Sequence, residues 1–258
     1  MCRRGTVRGE QTALPPPAFL VPQADPRSGA LRTGLASFDG SRTAADGSAP
    51  GGHTDDVSLN GPRTAGEMTG GLSVRPLDVH TWPAFARLVE ANNGVWGGCW
   101  CMGFHVKLGK GRTPAQNRAE KEQRVHEGRT HAALVLDGDQ CLGWCQFGSP
   151  GELPEIKSRR RYDNGLTALP DWRITCFFTG KGLRRRGVAD AALGGALDKI
   201  AGYGGGTVEG YPEETDDRTL SGSFLHTGPM AAFEKHGFAR TRPISPHRWV
   251  VTRPVDPV

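Results

Sequence analysis

The sequence lacks the features that would carry the protein into or across a membrane. None of its apolar runs approaches the roughly 20 residues that a membrane-spanning helix needs. Arg3 and Arg4 are not followed by the apolar core of a signal peptide, because Ala18–Val21 is too short. Cysteine is also scarce, with six among 258 residues, so we expect reduced thiols rather than a disulfide framework. These absences together predict a cytoplasmic protein.

The first 70 residues lack lysine and contain few aromatic side chains. They carry Pro15-Pro16-Pro17 and a Gly-, Ser- and Asp-rich run from Asp39 to Asp56, with no helical or strand periodicity. Such a segment cannot bury enough apolar surface to offset the entropy of ordering it. We therefore expect residues 1–70 to be disordered. Alternatively they are a mis-annotated extension, because Met68 directly precedes the first patterned residues. Residues 71–258 would then form the folded domain.

The remainder of the chain shows regular hydrophobic periodicity with helix caps and turn residues. Strands are predicted at 72–77, 131–136, 140–147, 172–179, 207–211, 238–241 and 248–252, and helices at 81–91, 113–127, 188–203 and 229–236. A Gly-rich loop at 92–112 connects the first two helices, and an irregular insertion at 148–170 connects the strands at 140–147 and 172–179. The order β-α-α-β-β-β-α-β-α-β-β indicates an α+β or mixed α/β fold. Within the insertion, Ser158–Tyr162 is predicted to be a solvated charge run.

A Gly- and Arg-rich segment between the strand at 172–179 and the helix at 188–203 is the strongest functional signal. It reads Arg184-Arg185-Arg186-Gly187-Val188-Ala189. Free backbone N–H groups at a helix start, together with the positive end of the helix dipole, favour a phosphate anion. The three arginines add charge that a pyrophosphate could use.

Arg184, Gly187 and Ala189 fit the pattern Gln/Arg-x-x-Gly-x-Gly/Ala, and the segment resembles the acyl-CoA signature of the GNAT N-acetyltransferase superfamily. Met230–Phe238 is similar to that superfamily's late segment, commonly Tyr-Glu-Lys-x-Gly-Phe. The resemblance covers about residues 72–254. It implies a mixed, mostly antiparallel sheet flanked by helices on both faces. It also implies direct transfer of an acetyl group from acetyl-CoA, the co-substrate, to a primary amine in a ternary complex.

The same resemblance implies which residues hold acetyl-CoA. The pantetheine arm would lie in a notch between two separating strands, and the pyrophosphate would lie against backbone amides. The implied contacts are Phe177, Phe178 and Thr179 for the arm, and Arg184, Arg185, Arg186, Gly187, Val188 and Ala189 for the pyrophosphate.

The residues that would move protons are left open by a departure from the family pattern. Phe233 stands where many members carry the Tyr that protonates the leaving thiolate. His226 corresponds to an Asn often found seven residues earlier, and Tyr211 is another candidate donor. Glu209 is the preferred base, acting directly or through water. The alternatives are a surface loop histidine for His226 and a solvated strand carboxylate for Glu209.

Trp96, Trp100 and Phe104 in the loop at 92–112 are predicted to form an apolar wall for the acceptor, a small-molecule or peptide amine. The alternative is simple packing over the sheet, in which case substitution would lower stability instead of weakening acceptor binding.

A metal site is a competing interpretation of the cysteines. Cys99-Trp100-Cys101 with His105 and the pair Cys141 and Cys145 would supply enough zinc ligands. The spacing differs from paired Cys-x2-4-Cys knuckles, and Cys141 and Cys145 are predicted to share one strand face as small core residues. We therefore expect no metal.

The net charge of +5 leaves two further functions to consider beside an N-acetyltransferase. One is a non-catalytic acyl-CoA-binding regulatory module, which Phe233 favours. The other is a basic nucleic-acid-binding protein, although no interleaved aromatic residues or recognisable module accompany the charge. We expect neither nucleic acid nor membrane as a partner. The oligomeric state stays open, with a homodimer among the alternatives.

Overall fold

The structure is a computed structural model that describes residues 71–109, 111–215 and 224–258. The expectations for residues 1–70 lie outside the described residues. The strands are β1 Ser73–Pro76, β2 His131–Asp137, β3 Gln140–Gly148, β4 Trp172–Thr179, β5 Gly206–Gly210, β6 Ala239–Ser245 and β7 Arg248–Val255. The helices are α1 Trp82–Glu90, α2 Pro114–His126, α3 Arg159–Asp163, α4 Val188–Gly202 and α5 Met230–Lys235, with 3-10 turns at Met102–Phe104 and Phe224–Thr227. This is the predicted order, with the short helix α3 added inside the insertion.

The strands form a seven-stranded sheet with the order β1-β2-β3-β4-β5-β7-β6. Every neighbouring pair is antiparallel except β4 and β5, which are parallel. One face is covered by α1 and the other by α4, each with its own apolar cluster. The mixed, mostly antiparallel sheet with helices on both faces confirms the predicted fold class. No helix in the described segments is long and apolar enough to cross a membrane.

The helix α2 shows how local sequence sets the boundaries of the elements. Thr113 accepts a hydrogen bond from the backbone N–H of Gln116 at 3.2 Å, and the Gln116 side chain accepts one from the Thr113 backbone at 2.8 Å. This reciprocal capping box satisfies donors that a helix start leaves unpaired, and Pro114 fits the first turn because it has no N–H to lose.

The central strands β4 and β5 separate soon after they pair. Their ladder runs only through Trp172↔Val208, Arg173↔Glu209 and Ile174↔Gly210. A β-bulge at Thr175 follows at once on β4, because Ile174 pairs with Phe147 whereas Cys176 pairs with Gln146. Bulges bend a strand and increase its twist. Because β5 also ends at Gly210, the partner on the third rung, the second half of β4 continues without pairing to β5, and a gap lies between them.

A second bulge corrects the prediction for the cysteines of β3. Cys141 pairs with Leu136 and Gly143 with Val135, so Leu142 is an extra residue on β3. An extra residue reverses the alternation of faces beyond it. The prediction that Cys141 and Cys145 share one face is therefore wrong. Cys141 packs in the cluster beneath α1, whereas Cys145 packs in the cluster beneath α4.

Candidate functional site

A cleft of about 650 Å³ lies where β4 leaves β5, beside the start of α4. Its size falls within the range of about 300–1,000 Å³ that is usual for small-molecule sites. Eight of the nine predicted acetyl-CoA contacts border it, namely Phe177, Phe178, Thr179, Arg184, Arg185, Gly187, Val188 and Ala189. Arg186 is exposed and is not among the residues that border the cleft.

The loop before α4 leaves backbone donors available to this cleft. Gly187 is the N-cap of helix α4; it has φ +78° and supplies no side chain to cap the first turn. The first N–H groups of α4 therefore receive no hydrogen bond from the N-cap side chain, and they can donate to an anion at the rim of the cleft. Gly143 on β3 allows β4 and the start of α4 to pack closely against β3, because a Cβ at this position would lie 2.5 Å from the Phe178 carbonyl oxygen and 2.7 Å from the Val188 side chain.

Asp190, in the first turn of α4, is an acidic group on the wall of the cleft. Its carboxylate accepts a hydrogen bond from Lys235 Nζ at 2.7 Å and pairs with His236 Nε2 at 2.9 Å. The Lys235 hydrogen bond is the main reason that the pKa of Asp190 is lowered, and His236 adds to the effect. The two basic side chains thereby offset a negative charge that would otherwise oppose a phosphate.

An aromatic group adjoins the cleft through Trp96. Trp96 borders the cleft, and its ring lies 5.9 Å from Phe178 and 6.4 Å from His226. Phe104 lies 6.2 Å from His226, and neither Phe104 nor His226 borders the cleft itself. His226 is buried, so its alternative interpretation as a surface loop histidine is wrong. The structure thus brings together Trp96, Phe104 and His226, which are far apart in sequence.

Trp100 does not join the aromatic group. Its side chain is 3% exposed and its ring lies 6.0 Å from Trp82 and 6.5 Å from Phe85, in the apolar cluster beneath α1. Trp100 does not border the cleft. Its position is that of a core residue, because the loop at 92–112 turns Trp100 inward and leaves Trp96 beside Phe178.

Glu209 and Tyr211 belong to a buried polar cluster on β4 and β5. One carboxylate oxygen of Glu209, Oε2, accepts hydrogen bonds from the Tyr211 hydroxyl at 2.9 Å and from the Tyr162 hydroxyl at 2.8 Å. Burial, followed by the charge of Glu209, raises the pKa of Tyr211 well above its usual range. Glu209 is 5% exposed, so its interpretation as a solvated strand carboxylate is wrong. Neither residue borders the cleft.

Sequence reasoning missed Tyr162 and Arg173. Tyr162 is fully buried although the three preceding arginines are exposed, so the prediction of a solvated run fails at its last residue. Arg173 is 2% exposed and donates from Nη2 to the Tyr162 hydroxyl at 3.1 Å and from Nη1 to the Leu153 carbonyl at 2.7 Å. Two features of the sequence could have indicated that these side chains are buried: Tyr162 is an aromatic residue next to charged ones, and Arg173 is an arginine inside an apolar strand.

Phe233 stands in the core. Its ring lies 5.8 Å from Phe177 and 5.0 Å from Phe238. Gly210 makes room for it, because a Cβ on Gly210 would lie 2.1 Å from the ring. The position where the resemblance implies a proton-donating Tyr is thus an apolar contact between α5, β4 and β5.

Cysteines do not assemble into a metal site within the described ranges, since no group of three or more His, Cys, Asp and Glu side chains there is placed to hold an ion. Cys101 and Cys176 instead contact each other, with 3.1 Å between their sulfur atoms. The Trp144 indole donates to Cys101 Sγ at 3.1 Å.

No protein-family model matches the sequence, and no curated protein matches it. Several solved structures resemble the chain. An acetyltransferase from Thermus thermophilus aligns with 13% identity and a TM-score of 0.41, covering 71% of this chain and 96% of its own. The ribosomal-protein-S18-alanine N-acetyltransferase of Escherichia coli aligns with 9% identity and a TM-score of 0.40, covering 73% and 96%. An N-acetyltransferase from Staphylococcus aureus Mu50 aligns with 14% identity and a TM-score of 0.39, covering 72% and 99%. At these identities and TM-scores the three structures are similar to this chain, and the similarity assigns it no function.

Proposed function

We propose that the protein is an acetyl-CoA-dependent N-acetyltransferase that moves an acetyl group to a primary amine by direct transfer. The observation that supports this most is the gap between β4 and β5 with the uncapped start of α4 beside it. An extended ligand could pair with the edge of β4 that β5 leaves, and the terminal phosphates could then reach the amides of α4.

Charge and sequence pattern support acetyl-CoA as the occupant of this cleft. Arg184 and Arg185 border the cleft beside Gly187, and they supply cationic donors for a pyrophosphate. The pattern formed by Arg184, Gly187 and Ala189 resembles the acyl-CoA signature of the GNAT superfamily. The apolar wall formed by Phe177 and Val188 suits the uncharged pantetheine arm.

The reaction requires a neutral amine, which attacks the thioester carbonyl while the carbon–sulfur bond breaks. Glu209, on the second of the three rungs that join β4 and β5, is the base in this proposal and takes the amine proton through water. His226, in the aromatic group beside the cleft, is the candidate for returning a proton to the thiolate. Because its raised pKa makes Tyr211 a poor acid at neutral pH, its role is to donate a hydrogen bond to Glu209.

The acceptor in this proposal is a small-molecule or peptide amine that approaches past Trp96 and Phe104. These side chains stand next to His226 and could pack against the acceptor carbon chain. The loops at 92–112 and 148–170 would set the choice of acceptor, because binding specificity in such folds resides in loops. A cytoplasmic location fits the use of acetyl-CoA.

A second candidate is a non-catalytic acyl-CoA-binding module. The observation that favours it is Phe233, which fills the usual acid position and is fully buried. Such a module would bind acetyl-CoA in the same cleft without turnover.

Two measurements on the full-length protein separate these functions. Calorimetry should detect binding of CoA and acetyl-CoA. Thiol release from acetyl-CoA should then be followed across a panel of primary amines that includes peptides, with no-amine and heat-denatured controls. Amine-dependent thiol release with a matching acetylated product supports the enzyme. Binding without release on any amine supports the module, and absence of CoA binding rules out both.

A further inference from the structure

The insertion at 148–170 reaches into the polar cluster through one side chain. Tyr162, in α3, is fully buried and donates its hydroxyl proton to Glu209 Oε2 at 2.8 Å. The insertion is otherwise anchored near this point by the Leu153 carbonyl, which accepts a hydrogen bond from Arg173 at 2.7 Å. A loop that would help to choose the acceptor is thereby joined to the carboxylate proposed as the base.

The cluster occupies a particular place in the sheet. Arg173 pairs with Glu209 on the second of the three rungs that join β4 and β5, and the strands separate after the third rung. Val208 and Ile174, the neighbours of Glu209 and Arg173, pack in the cluster beneath α4. Since strand side chains alternate between faces, Glu209 and Arg173 project to the opposite face, away from the helix whose start borders the cleft.

The chemistry of the donors fixes the direction of each hydrogen bond. An arginine side chain can only donate, so Tyr162 must accept from Arg173 and use its own proton toward Glu209. Tyr211 donates to the same oxygen atom. The two hydroxyl donors therefore hold this oxygen of Glu209 in one orientation within the cluster.

Charged and titratable groups approach this carboxylate from several elements. Tyr162 comes from α3, Arg173 from β4 and Tyr211 from the end of β5. Arg242, from β6, lies 4.9 Å from the centre of the Tyr162 ring, and Arg173 lies 5.4 Å from it. Both cations therefore lie close to the ring of the tyrosine that contacts Glu209.

From this arrangement we infer that Tyr162 is a positioning residue, which orients the Glu209 carboxylate for proton transfer. The inference rests on the proposed acetyltransferase function and adds a residue from the insertion to it. Removing only the Tyr162 hydroxyl would take one donor from the carboxylate and cut its link to Arg173, while the ring could still fill its place.

The test compares Tyr162→Phe with the wild type and with Tyr203→Phe. Tyr203 is an exposed residue whose ring stacks on Trp172, so its variant removes a hydroxyl outside the cluster. With carbon-13 labelled glutamate, the NMR chemical shift of the Glu209 carboxyl reports its hydrogen bonding, and Glu209→Gln identifies its signal. The constants kcat and KM are measured with the best amine, and CoA binding is measured by calorimetry.

In Tyr162→Phe the carboxyl signal of Glu209 should move from its wild-type position, because one hydroxyl donor is lost. We expect kcat to fall about tenfold, with the KM for acetyl-CoA and the CoA affinity unchanged. Tyr203→Phe should match the wild type. An unchanged Glu209 signal in Tyr162→Phe would overturn the inference. So would a loss of kcat together with a loss of CoA binding, which indicates a purely structural role.

Failure of the proposed function gives a different pattern. A wild type that acetylates no amine, with a Glu209 signal that still shifts in Tyr162→Phe, would remove the enzyme and retain the control of the carboxylate by Tyr162. The NMR measurement thus tests the contact between Tyr162 and Glu209 even when no turnover is found.

Discussion

At the scale of single residues, the backbone at Gly187 is the feature most open to test. Its φ of +78° is a left-handed conformation, and a Cβ there would meet nothing within 4 Å. The effect of Gly187→Ala should therefore come from backbone strain alone, which costs about 1 kcal/mol. Denaturant unfolding should show this loss in the free energy of unfolding. CoA binding should also weaken, because a changed backbone at Gly187 would reorient the first N–H groups of α4.

Gly202 provides the matched control on the same helix. It ends α4 without a left-handed φ, and a Cβ there would also meet nothing within 4 Å. Gly202→Ala should leave CoA binding unchanged and leave stability equal or higher by up to about 0.5 kcal/mol, since alanine is the better helix former. Similar losses of CoA binding in both variants would contradict a local role for Gly187.

Trp96 and Trp100 also form a matched pair, because they are four residues apart in one loop and occupy different environments. Trp100→Ala should destabilise the fold by about 3–5 kcal/mol, as expected when a large aromatic is removed from a packed core. Trp96→Ala should keep most of the stability and change ligand binding at the cleft. Urea unfolding and calorimetry check both. An unaltered melting transition in Trp100→Ala would show that this ring is not a core residue.

At the scale of elements, the loop before α4 makes a prediction about which arginines bind phosphate. Arg184 and Arg185 border the cleft, whereas the neighbouring Arg186 does not. Arg184→Ala and Arg185→Ala should each weaken CoA binding about three- to tenfold at low salt, because the contacts are exposed and screened. Arg186→Ala should have a smaller effect. Calorimetry at two salt concentrations tests this, and equal effects of all three changes would indicate only a diffuse basic surface.

The sequence predicted the elements well where local chemistry defines them. The capping box at Thr113 and Gln116 and the turn at Gly138 between β2 and β3 are decided by residues a few positions apart. The bulges at Leu142 and Thr175 could not be predicted in this way, because each depends on how two strands pair over a long separation in sequence. The first bulge made the prediction for Cys141 and Cys145 fail, and the second lies where the ladder between β4 and β5 ends, beside the cleft.

The same contrast applies to the candidate site. Contacts that follow one continuous loop, such as Arg184, Arg185 and Gly187, were predictable because a motif of six residues contains them. Partners brought together by the fold were not. Tyr162 meets Glu209 across 47 positions, and no pattern within the insertion indicates that contact.

At the scale of the whole molecule, buried polar groups beneath α2 should make stability depend on pH. Lys121 is 1% exposed and donates to Thr130 at 2.7 Å and to Gln146 at 3.1 Å. Its Nζ also lies 3.2 Å from Nε2 of the buried His105. His105 Nδ1 is 3.0 Å from the Glu152 carbonyl oxygen and can donate to it, which leaves Nε2 as an acceptor on a neutral ring. Burial, with the charge of Lys121 second, lowers the pKa of His105 to about 2.

The direction of the pH effect follows from which state binds the proton. The unfolded chain takes up a proton on His105 below about pH 6.5, whereas the folded protein does so only near pH 2, so acid favours unfolding throughout that window. His105 alone should therefore remove up to about 2 kcal/mol of stability between pH 7.5 and pH 5. Urea unfolding at the two values should show this loss in the wild type and in His126→Gln, which changes an exposed histidine, and a smaller loss in His105→Gln. NMR of the wild type gives an independent measurement, in which the His105 ring should not titrate between pH 7.5 and 5. A ring that titrates near pH 6 would show that the buried polar groups beneath α2 accept a charged histidine. The predicted loss of stability between pH 7.5 and pH 5 would then be contradicted.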